Sequence, residues 1–249
     1  MPYGPVLAEG KTKIIYAHAT DPNLAVMVHK DSISAGDGAR RNVIEGKGRV
    51  AGRTTANVFA YLSRHGVATH VVEAPDDDVT IVRRCAMIPI EVVMRRIATG
   101  SYLRRHPGTS EGQRFEPVLV EFFLKDDARH DPQISETEIV EQDLASAAEV
   151  EHLADTGRQV FELLEAAWAS QGVQLVDLKI EFGRLTGDAG GLVVADVIDN
   201  DSWRLWPGGQ KDQMLDKQIY RDMQTVTDRG LADLLEKYQA VAVMTGRFA

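Results

Sequence analysis

The segment Leu175-Val176-Asp177-Leu178-Lys179-Ile180-Glu181-Phe182 alternates apolar and charged residues from Val176 to its end. A helix would smear that pattern around its axis, whereas a strand sends successive side chains to opposite faces and sorts it. The expectation is a half-buried strand with Asp177, Lys179 and Glu181 on one side and Val176, Leu178, Ile180 and Phe182 on the other. A glycine-rich turn follows (Thr186 to Gly191), then a second apolar arm, Leu192 to Ala195, which ends in Asp196. With the turn centred near Asp188 and Ala189, Glu181 and Asp196 fall opposite each other across the ladder. Facing carboxylates repel unless a cation lies between them. Mg²⁺ on substrate phosphates is the economical cation, because it takes only one or two protein carboxylates, and Lys179 on the same face suits a phosphate oxygen. An isolated charged strand of this kind is also what a solvated ion-pair face looks like. The stretch from Asp196 to Trp206 weighs against that: a plain surface loop rarely needs two tryptophans, and a plain core cannot hold three aspartates without cations.

A chain of 249 residues can bury a sizeable core as one large domain or two modest lobes. The net charge of −9 argues against a general nucleic-acid binder but not against a small anion in a local basic pocket. The single cysteine, Cys85, excludes an intrachain disulfide, fits a reducing compartment and reads as a core residue in an apolar stretch. No signal peptide is visible and no apolar run approaches the ~20 residues of a membrane span, so the expected location is the cytoplasm, with no membrane partner. The histidines lack zinc-ligand spacing.

The first ninety-odd residues read mostly as strands: Lys13–Tyr16, Leu24–His29, Thr69–Val72, Thr80–Arg83 and Ile88–Met94, with one helix from about Arg49 to His65. The second half carries two longer amphipathic helices, Glu149–Ser170 and Asp228 to about Met244, the latter capped by Thr227 or Asp228. Their apolar stripes, Tyr238 included, read as core. The expected class is α+β: a strand-rich N-terminal lobe over residues 1–87, and a helix-rich second lobe over 88–249 that carries the hairpin, with ligands in the crevice.

Three further stretches bear on chemistry. Glu9-Gly10-Lys11-Thr12-Lys13 puts a glycine and two lysines at the start of a strand, without the spacing of a P-loop or a dinucleotide fold. Asp31 to Asn42 is a small-residue loop, either a surface turn or a substrate lid. Arg95, Arg96, Arg104 and Arg105 are the basic focus of an acidic chain, and guanidinium forks suit phosphate and carboxylate. Arg95 follows an apolar strand and should point inward; Arg104 and Arg105 are compatible with a solvated helix face.

These segments together resemble the SAICAR synthetase family, the phosphoribosylaminoimidazole-succinocarboxamide synthases of purine biosynthesis. The likeness runs from Glu9 to about Asp222 and rests on Glu9–Lys13, Ser34–Arg40, Glu91–Ser101, Phe123–Ala128, Leu175–Gly183 and Ala195–Pro207, in that order. The wording of Arg95–Ser101 and Asp199–Arg204 is most similar to the synthetase domain of the animal bifunctional enzyme. The resemblance implies a two-lobed kinase-like or ATP-grasp-like fold. It implies ATP-dependent ligation of L-aspartate to the carboxylate of CAIR (carboxyaminoimidazole ribonucleotide), through an acyl phosphate, to give SAICAR. It also assigns roles. Lys11 and Lys13 line the ATP phosphates, and Met87 to Glu91 touch adenine. Glu181 and Asp196 hold Mg²⁺, with Lys179 on phosphate or carboxylate oxygens. Arg95, Ser101 and Arg204 hold the CAIR phosphate and Asp201 its ribose, with Lys125 and Asp131 near the substrates. The Ser34–Arg40 loop is a candidate for the aspartate site. ATP, CAIR and aspartate are then the partners, and a homo-oligomer is compatible with the reading. Two alternatives use the same residues: a specialised paralogue ligating a CAIR-like ribonucleotide, and a small-molecule kinase, although the chain has no His-Arg-Asp or Asp-Phe-Gly motif.

Overall fold

The structure is a computed structural model that describes residues 3–36, 38–186 and 190–249. In chain order the strands are β1 Tyr3–Glu9, β2 Lys13–His18, β3 Leu24–His29, β4 Ser32–Ala35, β5 Arg40–Val43, β6 Val71–Asp76, β7 Val79–Arg83, β8 Cys85–Ile97, β9 Arg114–Leu124, β10 Gln133–Ile134, β11 Val173–Leu185, β12 Leu192–Ala195 and β13 Trp203–Pro207. The helices are α1 Lys47–Arg64, α2 Ser101–Arg105, α3 Glu136–Glu141, α4 Ala147–Ala169, α5 Gln218–Asp222 and α6 Asp228–Thr245. Among the described residues no helix is long and apolar enough to cross a membrane.

The chain forms two compact units, and the division is not one cut. Unit 1 takes the residues up to Ile88, Glu181–Ser202 and those from Leu215 onward; unit 2 takes Pro89–Ile180 and Trp203–Met214. The first crossing lies next to the boundary read from the sequence, after residue 87. The later ones fall inside β11 and at either end of a short segment, where no linker composition marks them.

Unit 1 is built on an antiparallel sheet in the order β1-β2-β3-β7-β6. The sequence reading has no strand at β1, whose side chains are nearly all exposed and so carry no alternation to read. Helix α1 packs on β3, β6 and β7, and against α6. No side chain of its own caps α1; instead the Asp31 carboxylate accepts from the N–H groups of Gly46 at 3.1 Å and Gly48 at 2.8 Å, neutralising the positive end of the helix. The stretch read as a small-residue loop is mostly sheet: β4 and β5 pair from Ser32↔Val43 to Ala35↔Arg40, and Ile33 joins Ile44, Tyr220, Leu234 and Tyr238 in a buried cluster. That pairing escapes a sequence reading because Ile33 is its one large buried apolar residue, and the Ser34 buried beside it carries no hydrophobic signal.

Unit 2 carries a sheet in the order β10-β9-β8-β11, with β13 paired to β11. Helix α4 lies on β9 and buries Val150, Leu153, Val160, Phe161, Leu164 and Trp168, the stripe read from the sequence. Trp168 meets Trp203 edge-on at 5.3 Å between centroids. Capping boxes start α3 (Ser135 with Glu138) and α4 (Ser146 with Glu149), satisfying backbone donors at both helix beginnings.

Candidate functional site

In unit 1, Lys11 precedes β2, Lys13 opens it and Met87 lies half-exposed on β8. Strand β11 ends beside β12, but the register is Glu181↔Ala195 and Phe182↔Val194. Glu181 thus faces Ala195, one residue short of the expected partner; the Asp188–Ala189 turn from which that expectation came lies outside the described residues. Asp196 falls just beyond the strand in a left-handed conformation, φ 66°, which the short polar side chain of aspartate tolerates. There its carboxylate forms an ion pair with Lys13 Nζ. Glu181 is 3% exposed. Two carboxylates at adjacent register positions, one already neutralised by an ammonium, are a hard-oxygen donor set that fits a divalent cation carrying phosphate. Among the described residues no group of three His, Cys, Asp or Glu is clustered for a metal.

Two imidazoles flank this lysine. Burial first, then the ammoniums of Lys13 and Lys47, pulls His29 down to about 3; burial, then Lys13 and Arg83, does the same to His70. Both stay neutral, so neither adds cationic repulsion beside Lys13.

Cys85 is half-exposed, against its reading as a core residue, and burial on one side pushes its thiol pKa up. Its Sγ lies 3.7 Å from Met87 Sδ. The two sulfurs rest on the backbone of Gly183, where a Cβ would come within 2.4 Å of Cys85 Sγ.

Unit 2 gathers Glu91, Arg95, Ser101, Lys179 and Arg204. Glu91 accepts from Lys179 Nζ at 2.8 Å. Arg95 points inward as expected, 4% exposed, but its partners are carboxylates: Nε donates to Glu121 Oε2 at 2.5 Å and Nη1 to Asp177 Oδ2 at 2.9 Å. Arg204 donates to the same Asp177 oxygen. Its guanidinium lies against Gly100, whose backbone (φ 59°, ψ −128°) suits glycine alone and where a Cβ would stand 2.7 Å from Nη2. Ser101 follows as the first residue of α2. Arg105, compatible in sequence with a solvated face, instead donates to Glu121 Oε1 at 2.5 Å and lies 4.9 Å above the Phe123 ring. Three arginines thus share two buried carboxylates, leaving local positive charge for an anion. Lys125, exposed, follows β9, and Asp131 closes the next turn by accepting from the Asp126 N–H at 2.8 Å.

Glu121 and Arg105 are absent from the sequence assignments. A lone carboxylate inside Val118-Leu119-Val120-Glu121-Phe122-Phe123 was a usable signal, since a buried charge requires a partner.

Asp201 lies in unit 1, between β12 and β13. Its Oδ2 accepts from Lys217 Nζ at 2.9 Å and its Oδ1 from the Tyr238 hydroxyl at 3.2 Å. Burial raises its pKa, but the Lys47 and Lys217 ammoniums overcome burial and hold it at about 2. Its neighbour Asp199 is pushed up by burial and by Asp201 itself.

A lysine paired to a carboxylate at a strand end in unit 1, and an arginine cluster around Ser101 in unit 2, define a protein equipped for phosphorylated ligands and phosphoryl chemistry. The chain belongs to the SAICAR synthetase family, whose model matches residues 6–237. It is 65% identical over 248 residues to the phosphoribosylaminoimidazole-succinocarboxamide synthase of Chloroflexus aggregans, covering 100% of this chain and 98% of that protein. It is 45% identical to the multifunctional protein ADE2 of Gallus gallus, covering 96% of this chain and 57% of that protein. The animal likeness read from the motifs is real, and bacterial relatives of the chain's own length exceed it. Among solved structures, a SAICAR synthetase in complex with ADP superposes with a TM-score of 0.82 at 30% identity, covering 95% of this chain and 98% of that one.

Proposed function

We propose that this chain ligates L-aspartate to the carboxylate of CAIR with consumption of ATP, giving SAICAR, ADP and phosphate. The γ-phosphoryl group passes to the CAIR carboxylate, ADP leaves, and the aspartate amine attacks the acyl carbon. The C–N bond forms as the C–O bond to phosphate breaks, and the amine proton is lost to a base or water. Such chemistry requires positioning and charge neutralisation more than a protein nucleophile.

The observation that carries the reading is the Lys13–Asp196 ion pair beside buried Glu181 at the β11–β12 end. Glu181 and Asp196 would hold Mg²⁺, whose contribution when bound is to neutralise phosphate oxygens. ATP is assigned chiefly to residues before position 88, with Lys11 and Lys13 on its phosphates and Met87 at adenine; Glu91 continues that edge and orients Lys179. Arg204 and Ser101 receive the CAIR phosphate. Arg95, already engaged by Glu121 and Asp177, is proposed to hold that cluster in shape while keeping its remaining N–H groups for the anion. Asp201 takes the ribose, and Lys125 and Asp131 remain assigned near the substrates.

The deciding experiment measures ADP release with Mg·ATP and CAIR, with and without L-aspartate, and product mass. Aspartate-dependent release with the mass of SAICAR is expected. ATP binding with no turnover on CAIR would shift the assignment to another ribonucleotide, and ADP formation with phosphate transferred to a hydroxyl would make the protein a kinase.

A further inference from the structure

Helix α6 buries a stripe of Leu234, Tyr238, Val241, Ala242 and Thr245, and the first two join Ile33, Ile44 and Tyr220 in one cluster. Tyr238 is the exception within that stripe: its ring is 1% exposed, yet its hydroxyl leaves the cluster to reach Asp201 Oδ1 at 3.2 Å. It also stands one residue beyond the stretch matched by the family model, which ends at 237. Lys217 grips the other carboxylate oxygen at 2.9 Å. Lys47, the first residue of α1 and itself 1% exposed, has its ammonium 4.0 Å from that oxygen and 5.8 Å from the centre of the Tyr238 ring. On its own loop, Asp201 donates its N–H to Asp199 Oδ1 at 2.8 Å. A carboxylate gripped on both oxygens cannot turn about its last bond, while its remaining lone pairs still accept from a ligand.

We propose that Tyr238, with Lys217, is a positioning residue for substrate binding: it fixes the plane of the Asp201 carboxylate, so that the ribonucleotide ribose meets an acceptor already aimed. The inference rests on the assignment of Asp201 to the ribose. Preorganisation of this kind saves the ordering that a free carboxylate would need on binding, and its loss therefore falls on affinity more than on turnover.

The test is a double-mutant cycle in the full chain with Tyr238→Phe, Asp201→Asn and the pair, measuring KM for CAIR, KM for ATP and kcat. Tyr238→Phe keeps the buried ring and is expected to melt as the parent does, with KM for CAIR up about tenfold, the scale of one hydrogen bond to a charged group, and KM for ATP unchanged. Because the hydroxyl acts through Asp201, the double variant should match Asp201→Asn alone. An unchanged KM for CAIR in Tyr238→Phe beside a raised one in Asp201→Asn overturns the inference and leaves the ribose assignment standing. Additive effects in the pair, or equal losses for ATP and CAIR, also overturn it. A normal KM for CAIR in Asp201→Asn overturns the ribose assignment, and the inference with it. Should Tyr238→Phe lose its cooperative melt, the same cycle with Lys217→Met decides by the same criteria.

Discussion

Asp196 adopts a left-handed backbone, and its carboxylate pairs with Lys13. Such local strain is retained where a site needs it. Asp196→Asn should keep the fold, the thermal midpoint and CAIR binding, and should lose at least roughly 10²–10³ in kcat, the typical cost of removing one positioned charge. Ligase activity within threefold of the parent would remove the metal assignment. Gly100 is constrained twice, by its backbone angles and by the guanidinium of Arg204 against it. Gly100→Ala is expected to destabilise by about 1–3 kcal/mol and, by displacing Arg204, to raise KM for CAIR more than KM for ATP. Urea titration and steady-state kinetics separate the two effects, and equal change in both KM values would show that Arg204 is not on the substrate.

At the level of elements, the antiparallel register sets Lys13 against His29 across β2 and β3 and so couples the site to the buried imidazoles. His29 and His70 titrate near 6.5 when unfolded but only near 3 when folded, so between these values the unfolded chain binds more protons. Stability therefore falls as pH drops below about 6.5, each histidine contributing up to about 1.4 kcal/mol per pH unit. Urea midpoints at pH 7 and pH 5 should differ less in His70→Gln than in the parent; equal differences would mean that the imidazole is protonated in the fold. The elements also show what was legible beforehand. Long periodic segments such as α4 and α6 could be read because each buries one apolar stripe, and β11 could be read from its alternation although the structure buries both of its faces, Asp177 and Glu181 included. Strands β1 and β5 could not, since their pairing is a matter of backbone hydrogen bonds with little side-chain burial to mark it, nor could β4, whose two buried residues, Ile33 and Ser34, are adjacent and show no alternation. In the candidate site, residue type and spacing were enough to single out Asp196 and Arg95, and the inward turn of Arg95 followed from the apolar strand before it. The one-residue offset of Glu181, the turning of Arg95 to Glu121 and Asp177, and the reach of Tyr238 depend on partners far apart in sequence. No local pattern encodes them.

At the scale of the whole molecule, the chain passes between its two units four times, after Ile88, Ile180, Ser202 and Met214. Unit 1 is consequently assembled from three segments, and its core cluster joins Ile33 and Ile44 to Tyr220, Leu234 and Tyr238. Contacts so distant in sequence delay folding until late segments are available. A fragment of residues 1–87 should therefore fail to fold alone, showing no cooperative melt by circular dichroism, although the sequence marks it as a lobe. A well-dispersed amide spectrum from that fragment would refute this dependence. The same interleaving has a meaning in genetics. A stop codon that removes only α6 takes Leu234 and Tyr238 from the unit that the first residues of the chain began. A nonsense allele that interrupts the chain just before α6 should accordingly be as null as one that interrupts it in β1, and no such truncation should yield a partial enzyme that keeps a folded unit 1.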